Sequence, residues 1–289
     1  HELGNIGASL AGVSAPAKLT VTVTLKGTDA SNSWNIWVYP AISDPKPLDV
    51  VVTQSIEEMT SNLQAGKRVL MLAPRKSLVQ PGMGSPYTIF WSPILFASQS
   101  NHGMGILCDP KHPALAQFPT DFHADWQWFD LLDKSSNMDL DGTPTSFRPI
   151  VQVIDNFIKN RKMGNLLEAR VGDGRLMVCS MNLQGDKPAC RQMLKSILDC
   201  MASDAFQPKQ ELTLAELSSF LKEQQPTAMQ SLGAKILMVD SEDVANPATN
   251  AIDADPDTCW HTQWQGAQPP YPHEIQIDLQ KTIELTGFK

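Results

Sequence analysis

The chain has 289 residues, of which 42% are hydrophobic, and its formal net charge is −8. This length and composition predict two or three domains with hydrophobic cores and exclude an intrinsically disordered chain. The acidic balance, without clustered Lys and Arg, excludes nucleic acid and anionic membrane surfaces as partners. The sequence also contains no stretch near the ~20 apolar residues that a membrane-spanning helix needs.

The N-terminal residues predict two β-strands. Residues 19–25 alternate strictly between apolar and polar side chains, which is the period of a half-buried strand. A second run, 34–39, is rich in β-formers and ends at Pro40. Because two strands alone are barely stable, residues 1–41 are predicted to be the end of a β-sandwich that begins upstream. The start of the chain has no signal-peptide pattern, so any export signal is also expected upstream.

Residues 42–205 predict an α/β domain with a central, mainly parallel sheet and flanking helices. The first strand is expected at 48–53, covered on both faces, and is followed by a helix that Ser55 caps and that ends near Ala65. The sequence Gly172-Asp173-Gly174 between two apolar runs predicts a hairpin. Further strands are expected at 67–73, 105–108, 149–154, 166–171 and 175–181, and further helical segments at 112–118 and 188–201.

The C-terminal part changes texture again. Residues 206–228 are polar and are predicted to be a linker that contains a short helix starting with the capping box of Thr213 and Glu216. Residues 229–289 return to β-strand patterns, at 236–239, 274–279 and 283–288.

The search for a nucleophile gives one weak candidate. A nucleophile in an α/β domain requires a tight turn of small residues. Cys108 follows a predicted strand but lies in the sequence ILCDP, and Ser180 also lacks flanking glycines. A buried thiol is therefore favoured for Cys108. The alternative is an amidotransferase-like or esterase-like site that uses Cys108 with His112 or His123.

Glycosidase and metal chemistry are not indicated by spacing. Glycoside cleavage needs two carboxylates that flank one bond. Asp121, Asp125 and Asp130 are close in sequence, but no eightfold βα repeat is present to place them. The histidines at 102, 112 and 123 are about ten residues apart, which is wider than usual metal-ligand spacing. No catalytic residue is assigned, and no catalytic cofactor is expected.

The five cysteines, at 108, 179, 190, 200 and 259, form no CxxC pair. Buried free thiols are expected, and one disulfide stays open for an exported protein. Residues 118–129 are unusually aromatic, and here Trp126 and Trp128 are candidates for stacking on a sugar ring. The alternative is a small core that fixes the loop.

Two segments resemble a known enzyme family. The runs NSWNIWVYP at 32–40, HPA and FPTDFH between 112 and 123, and WQW at 126–128 resemble β-galactosidase-like glycoside hydrolases of family 2 from gut Bacteroidetes. The resemblance implies an immunoglobulin-like sandwich at 1–41, followed by an α/β domain at 42–205 similar to a class I glutamine amidotransferase. This sequence lacks the cysteine elbow of that fold, so the resemblance implies a structural or interface role.

The run NAIDADPDTCWHTQW at 250–264, continued by PHEIQIDL at 272–279, resembles the discoidin or coagulation factor 5/8 type C domain. The resemblance implies the first half of a β jelly roll over 229–289 and binding of galactose-type sugars. Trp260 would lie in the core, and His261 and Trp264 would be ligand-binding candidates. It also implies a structural Ca²⁺ held by Asp253, Asp255 and Thr258, whose hard oxygen ligands suit that ion.

Together these resemblances predict a non-catalytic accessory region of a secreted, periplasmic or surface-exposed glycoside hydrolase that acts on β-galactoside-type glycans. The expected partners are a galactose-type glycan and other domains of the same protein. The alternatives are the Cys108 enzyme and a stand-alone sugar-binding module.

Overall fold

The computed structural model describes residues 5, 7–41, 49–84, 103–133, 135–156, 159–184, 186–223, 227–253 and 258–284. The chain divides into two compact units, His1–Glu223 and Gln224–Lys289. Within the described part of the chain, no helix is long and apolar enough to cross a membrane.

The first unit begins with the two predicted strands, β1 (Ala17–Thr24) and β2 (Ser31–Val38), which pair antiparallel. The strict alternation of β1 places Leu19, Val21 and Val23 on one face. Val21 and Val23 lie opposite Trp34 and Asn32 and are exposed to solvent. One face of this two-stranded sheet is therefore apolar and largely uncovered.

The next elements form a βαβ unit, as predicted. β3 (Val50–Thr53) and β4 (Arg68–Leu72) are parallel and are joined by α1 (Ile56–Gln64). Ser55 caps α1 because its Oγ accepts a hydrogen bond from the Glu58 backbone N–H at 3.2 Å. The helix ends before Gly66, whose φ of +73° is easily adopted by glycine.

The same eight-stranded sheet contains six more strands and is flanked by helices. The main strand order is β3-β4-β10-β9-β7-β5, and β8 pairs with both β6 and β9. The remaining strands are β5 (Gly82–Met83), β6 (Gly105–Cys108), β7 (Ser136–Asp139), β8 (Val151–Ile154), β9 (Met163–Val171) and β10 (Gly174–Cys179). The remaining described α-helices of this unit are α2 (Phe129–Leu132), α3 (Pro188–Ala202) and α4 (Leu214–Leu217), and short 3₁₀ helices lie at Arg75–Ser77, Pro113–Leu115 and Trp126–Trp128.

The expectation of a mainly parallel sheet is wrong. Among the described strands, only β3–β4 and β4–β10 pair in parallel, and the other pairings are antiparallel. The tight turn at Gly172, with a φ of +57°, joins β9 directly to β10 and therefore forces the two strands to run in opposite directions. β3, expected to be covered on both faces, is an edge strand in which Val52 is exposed.

Two hydrophobic clusters cover the two faces of the sheet. Alternation along β4 sends Leu70 to one face and Val69 and Met71 to the other. The first cluster contains Leu70 with residues of α3 and of the 114–132 region. The second contains Val69 and Met71 with residues of α1 and of the 212–221 segment. The unit is thus a mixed α/β fold with a sheet between two helical layers.

The prediction of a linker over 206–228 is also wrong for most of its length. Phe206 belongs to the first hydrophobic cluster, and Leu212, Phe220 and Leu221 belong to the second. The predicted capping box of α4 is present, since the Thr213 hydroxyl accepts from the Glu216 backbone N–H at 3.1 Å. The segment is polar overall, yet its few large apolar side chains cover the sheet.

The second unit is small and contains α5 (Ala228–Leu232), β11 (Lys235–Val239), a 3₁₀ helix (Ala248–Ile252) and β12 (Ile275–Asp278). β11 and β12 pair antiparallel with an irregularity between Ile236 and Met238. Both strands were predicted, whereas the expected strand at 283–288 falls mostly outside the described residues.

Candidate functional site

Trp128 is a core residue and does not form a sugar platform. Its side chain is 0% exposed. Its indole packs edge-on against Phe118 at 5.3 Å, and its Nε1 donates to the Thr120 hydroxyl at 2.9 Å. A fully buried ring presents no face to a ligand, so the candidate role of Trp128 in sugar binding is withdrawn.

Trp126 lies two residues away and is 79% exposed. It lines a cleft of about 240 Å³ together with Asp125 and Phe129. Asp125 accepts a hydrogen bond from the Gln127 backbone N–H at 3.1 Å through Oδ1, whereas its buried Oδ2 has no partner among the described residues. Burial raises the pKa of the Asp125 carboxyl. An exposed indole thus lies beside a carboxylate with unused acceptor capacity.

The loop that carries Trp126 is fixed by the N-terminal strands. Trp37 donates from Nε1 to the Pro119 carbonyl at 3.0 Å, and the Tyr39 hydroxyl bonds to Gln127 Oε1 at 2.6 Å. Lys18 also forms an ion pair with Asp121. Because these bonds hold the loop at several points, the backbone that carries the exposed ring of Trp126 is held in place.

In the second unit, the structure brings His261 and Trp264 close together. Their ring centroids are 6.3 Å apart, and Trp264 is 56% exposed. His261 bonds through Nδ1 to the Thr262 carbonyl at 2.6 Å. Since Nδ1 carries the proton in that bond, the neutral ring keeps Nε2 as an acceptor. The pair therefore offers one apolar ring face and one hydrogen-bonding atom.

Trp260 anchors the segment before this pair. Its Nε1 donates to the Ser241 carbonyl at 2.9 Å, and the Ser241 hydroxyl accepts from the Gln263 backbone N–H at 2.9 Å. The half-buried indole of Trp260 thus ties this segment to the end of β11.

Two of the three predicted calcium ligands lie together. The Thr258 hydroxyl donates to both carboxylate oxygens of Asp253, at 3.1 and 2.9 Å. Asp255 lies outside the described residues. Carboxylate and hydroxyl oxygens fit Ca²⁺ chemically. No group of three His, Cys, Asp or Glu side chains positioned for a metal occurs in the described ranges.

Cys108 is placed unfavourably for nucleophilic catalysis. It is the last residue of β6, an antiparallel strand, and its thiol donates to the Asp121 carbonyl at 3.4 Å. Burial, followed by the charges of Asp109, Asp125 and Asp121, raises the pKa of the Cys108 thiol to about 11. The reactive thiolate is therefore scarce near neutral pH.

His112 lines the same cleft as Cys108 but is engaged elsewhere. Its Nδ1 accepts from the Ala114 backbone N–H at 3.2 Å, and its Nε2 lies 3.7 Å from Glu168 Oε1. An imidazole whose Nδ1 is an acceptor carries its proton on Nε2, so it has no lone pair left to activate a thiol. His123 bonds through Nδ1 to the Ala124 carbonyl at 3.0 Å and packs edge-on against Phe122.

The cysteines are free thiols, as expected. Cys179, Cys190 and Cys200 are buried, Cys108 is half-buried and Cys259 is exposed.

Sequence reasoning missed a cleft of about 260 Å³ with a mixed polar and apolar wall at the carboxyl ends of the parallel strands. Its wall contains residues that follow β3, β4 and β10 and residues at the start of β7: Gln54, Ala73, Pro74, Arg75, Ser135, Ser136, Ser180 and Asn182. The carboxyl edge of parallel strands is the usual place for ligands in α/β proteins. The signal available in the sequence was a polar residue directly after two of the predicted strands, Gln54 after 48–53 and Asn182 after 175–181.

Comparisons with known proteins give two family matches and one relative. Residues 1–40 match the domain of unknown function DUF8488. A sialidase from Micromonospora viridifaciens is 46% identical over 55 residues, which are 18% of this chain and 8% of the sialidase. The chain thus spans less than a tenth of that relative. Residues 50–222, more than half of the chain and the range of the α/β fold, match the domain of unknown function DUF8487. The chain therefore belongs to the DUF8487 family.

Proposed function

We propose that this chain is a non-catalytic accessory region of a secreted glycoside hydrolase and binds carbohydrate for it. Two exposed tryptophans, each beside a polar side chain, carry the proposal. Trp126 lies beside Asp125 in the first unit, and Trp264 lies beside His261 in the second. An apolar ring face next to a hydrogen-bond acceptor matches the alternating CH and OH surfaces of a sugar.

The identity with a sialidase supports a link to carbohydrate processing. It covers a small share of that protein, so the parent activity rests on the sequence resemblance to family 2 glycoside hydrolases. The glycan proposed for this chain is of the β-galactoside type.

The state of Cys108 and His112 supports a non-catalytic role. The raised pKa of the Cys108 thiol and the occupied Nδ1 of His112 disfavour the amidotransferase-like alternative. Among the three neighbouring carboxylates of this region, Asp121 is engaged in an ion pair with Lys18. The α/β fold acts in this proposal as a spacer, similar to a glutamine amidotransferase without its cysteine elbow.

The second unit is proposed to correspond to the first part of a discoidin domain. Its loop at Asp253 and Thr258 would hold a structural Ca²⁺, to which these side chains offer hard oxygen ligands. Trp264 and His261 on the neighbouring loop would contact the sugar.

Isothermal titration calorimetry with galactose and lactose tests the proposal. We expect saturable heat with the wild-type chain and about tenfold weaker binding after Trp264→Ala or Trp126→Ala, because each removes a stacking surface. Trp34→Ala is the matched control, since Trp34 is also an exposed tryptophan but lies on β2. Absence of heat at millimolar sugar, or an equal loss in the control, would count against the proposal.

A second measurement addresses catalysis. The chain should not hydrolyse an aryl β-galactoside. Turnover that disappears after Asp125→Asn, with the fold intact by circular dichroism, would overturn the non-catalytic role.

A further inference from the structure

The cleft at the carboxyl ends of β3, β4 and β10 contains two buried hydroxyls with unused hydrogen-bonding capacity. The Ser135 Oγ is buried and has no partner among the described residues. The Ser180 Oγ accepts from Asn165 Nδ2 at 3.3 Å, which leaves its own hydrogen without a described acceptor. Buried polar groups without partners are uncommon, and each calls for an explanation such as a ligand.

The hydroxyl of Ser180 is held in place by a buried polar network. Asn165 lies on β9 and is 0% exposed. Its Nδ2 also donates to the Ser136 carbonyl at 3.0 Å and to Asn137 Oδ1 at 2.9 Å. The Ser180 backbone N–H donates to the Asn165 carbonyl at 2.9 Å. The Asn165 Oδ1 has no partner among the described residues, but the bonds of Nδ2 and of the backbone hold the Ser180 hydroxyl at the cleft wall.

The lining selects an uncharged ligand. The described wall has amide, hydroxyl and apolar side chains and no carboxylate, and its one charged side chain, Arg75, takes part in an interaction of its own. An anion offers only acceptors, whereas the hydroxyls of Ser135 and Ser180 can each donate and accept. A ligand with hydroxyl groups satisfies both roles.

We infer that this cleft is a second binding site, distinct from the exposed tryptophans, for a neutral polyhydroxylated ligand the size of a monosaccharide. The cleft of about 260 Å³ is smaller than the roughly 300–1,000 Å³ of sites for drug-sized ligands. The inference goes beyond the proposed function and does not depend on Trp126 or Trp264.

Methyl-resolved NMR of the full chain with labelled methionine methyls tests the site. Met181 lines the cleft, and Met238 on β11 reports on the second unit. With methyl β-D-galactopyranoside as the probe, we expect a saturable shift of the Met181 signal, which Met181→Leu identifies. The Met181 shift should persist in a Trp126→Ala/Trp264→Ala double variant, so failure of this site and failure of the proposed function are distinguishable.

Ser180→Ala should weaken the binding that Met181 reports by about five- to tenfold, the value of one hydrogen bond. Its fold is expected to persist, because Asn165 keeps two other acceptors. Ser135→Ala is the second variant, and Ser61→Ala on α1 is the control, since its hydroxyl only bonds the Glu58 carbonyl. The inference would be overturned if millimolar sugar caused no Met181 shift or if only inorganic phosphate caused one. Wild-type affinity in both Ser180→Ala and Ser135→Ala would also overturn it.

Discussion

At the scale of single residues, burial decides which side chains can react. Cys108 and Cys259 are both free, but only Cys259 is exposed. Burial and three neighbouring carboxylates raise the pKa of Cys108 to about 11, so its thiol stays protonated at neutral pH. The thiols of Cys108 and Cys259 are thus expected to differ in reactivity.

Iodoacetamide at pH 7.5 should modify Cys259 at least about tenfold faster than Cys108, because the thiolate is the reactive form. Labelling of Cys108 should increase as the pH rises toward 11. Mass spectrometry of peptides from a time course measures both rates. Rapid labelling of Cys108 at neutral pH, with the chain still folded, would restore the enzymatic alternative.

The raised pKa of a buried thiol also predicts the direction in which the stability of the first unit changes with pH. Burial raises the pKa of Cys179 to about 12, whereas a cysteine in the unfolded chain titrates near about 8.5. Above that pH the unfolded chain binds fewer protons than the folded one, so the stability of the first unit falls as the pH rises.

At the scale of elements, the mostly polar segment from Phe206 to Leu221 is held on the sheet by a few large apolar side chains. Leu217, Phe220 and Leu221 are spaced like one face of a helix and are buried in the second hydrophobic cluster. The backbone of Val79 also donates to the Phe220 carbonyl at 3.0 Å. These contacts make the segment part of the α/β fold.

Phe220→Ala should lower the free energy of unfolding of the first unit by about 3–5 kcal/mol, as expected for a large cavity in a core. Leu214→Ala on the preceding short helix α4 is the control, because Leu214 is exposed. Urea denaturation followed by circular dichroism measures both. A loss below about 1 kcal/mol in Phe220→Ala would support the sequence prediction that residues 206–228 form a linker.

The elements that sequence predicts well are those with local signals. α1 has a serine cap and a terminal glycine, and the β9–β10 turn has its Gly-Asp-Gly sequence. β7 was missed because Ser136 and Asn137 are polar yet buried, which breaks the alternation that predicts strands. The antiparallel pairings outside the β9–β10 hairpin were not predicted, because periodicity reports burial and contains no information on pairing.

The candidate site residues show the same difference between local sequence signals and long-range packing. Exposure of Trp264 and burial of Trp128 depend on long-range packing, so the sequence identified both rings without separating them. The cleft at Ser135 and Ser180 was missed because its wall comes from strands far apart in the chain.

At the scale of the whole molecule, the chain consists of two compact units, and the large hydrophobic clusters of the described residues lie in the first. The residues of both large hydrophobic clusters lie between Val50 and Leu221. The first unit therefore contains its own stabilising contacts, and the second depends on a two-stranded sheet and short helices. Two unfolding transitions are expected, with the second unit the less stable.

A shortened chain of residues 1–223 should retain the main transition of the full chain in differential scanning calorimetry. Addition of Ca²⁺ should raise the other transition by about 2–5 °C through binding at Asp253 and Thr258, and EDTA should reverse this increase. Asp253→Asn in the full chain is the matched variant. A Ca²⁺ shift that persists in residues 1–223 would contradict the proposed calcium site.

The sheet of β1 and β2 is anchored on one face and bare on the other. Lys18 and Trp37 fasten its inner face to the 119–121 loop, whereas Val21 and Trp34 face outward. A neighbouring domain that packed on the outer face would be held in a fixed orientation relative to the α/β fold. The two strands would then fix the angle between that domain and the α/β fold.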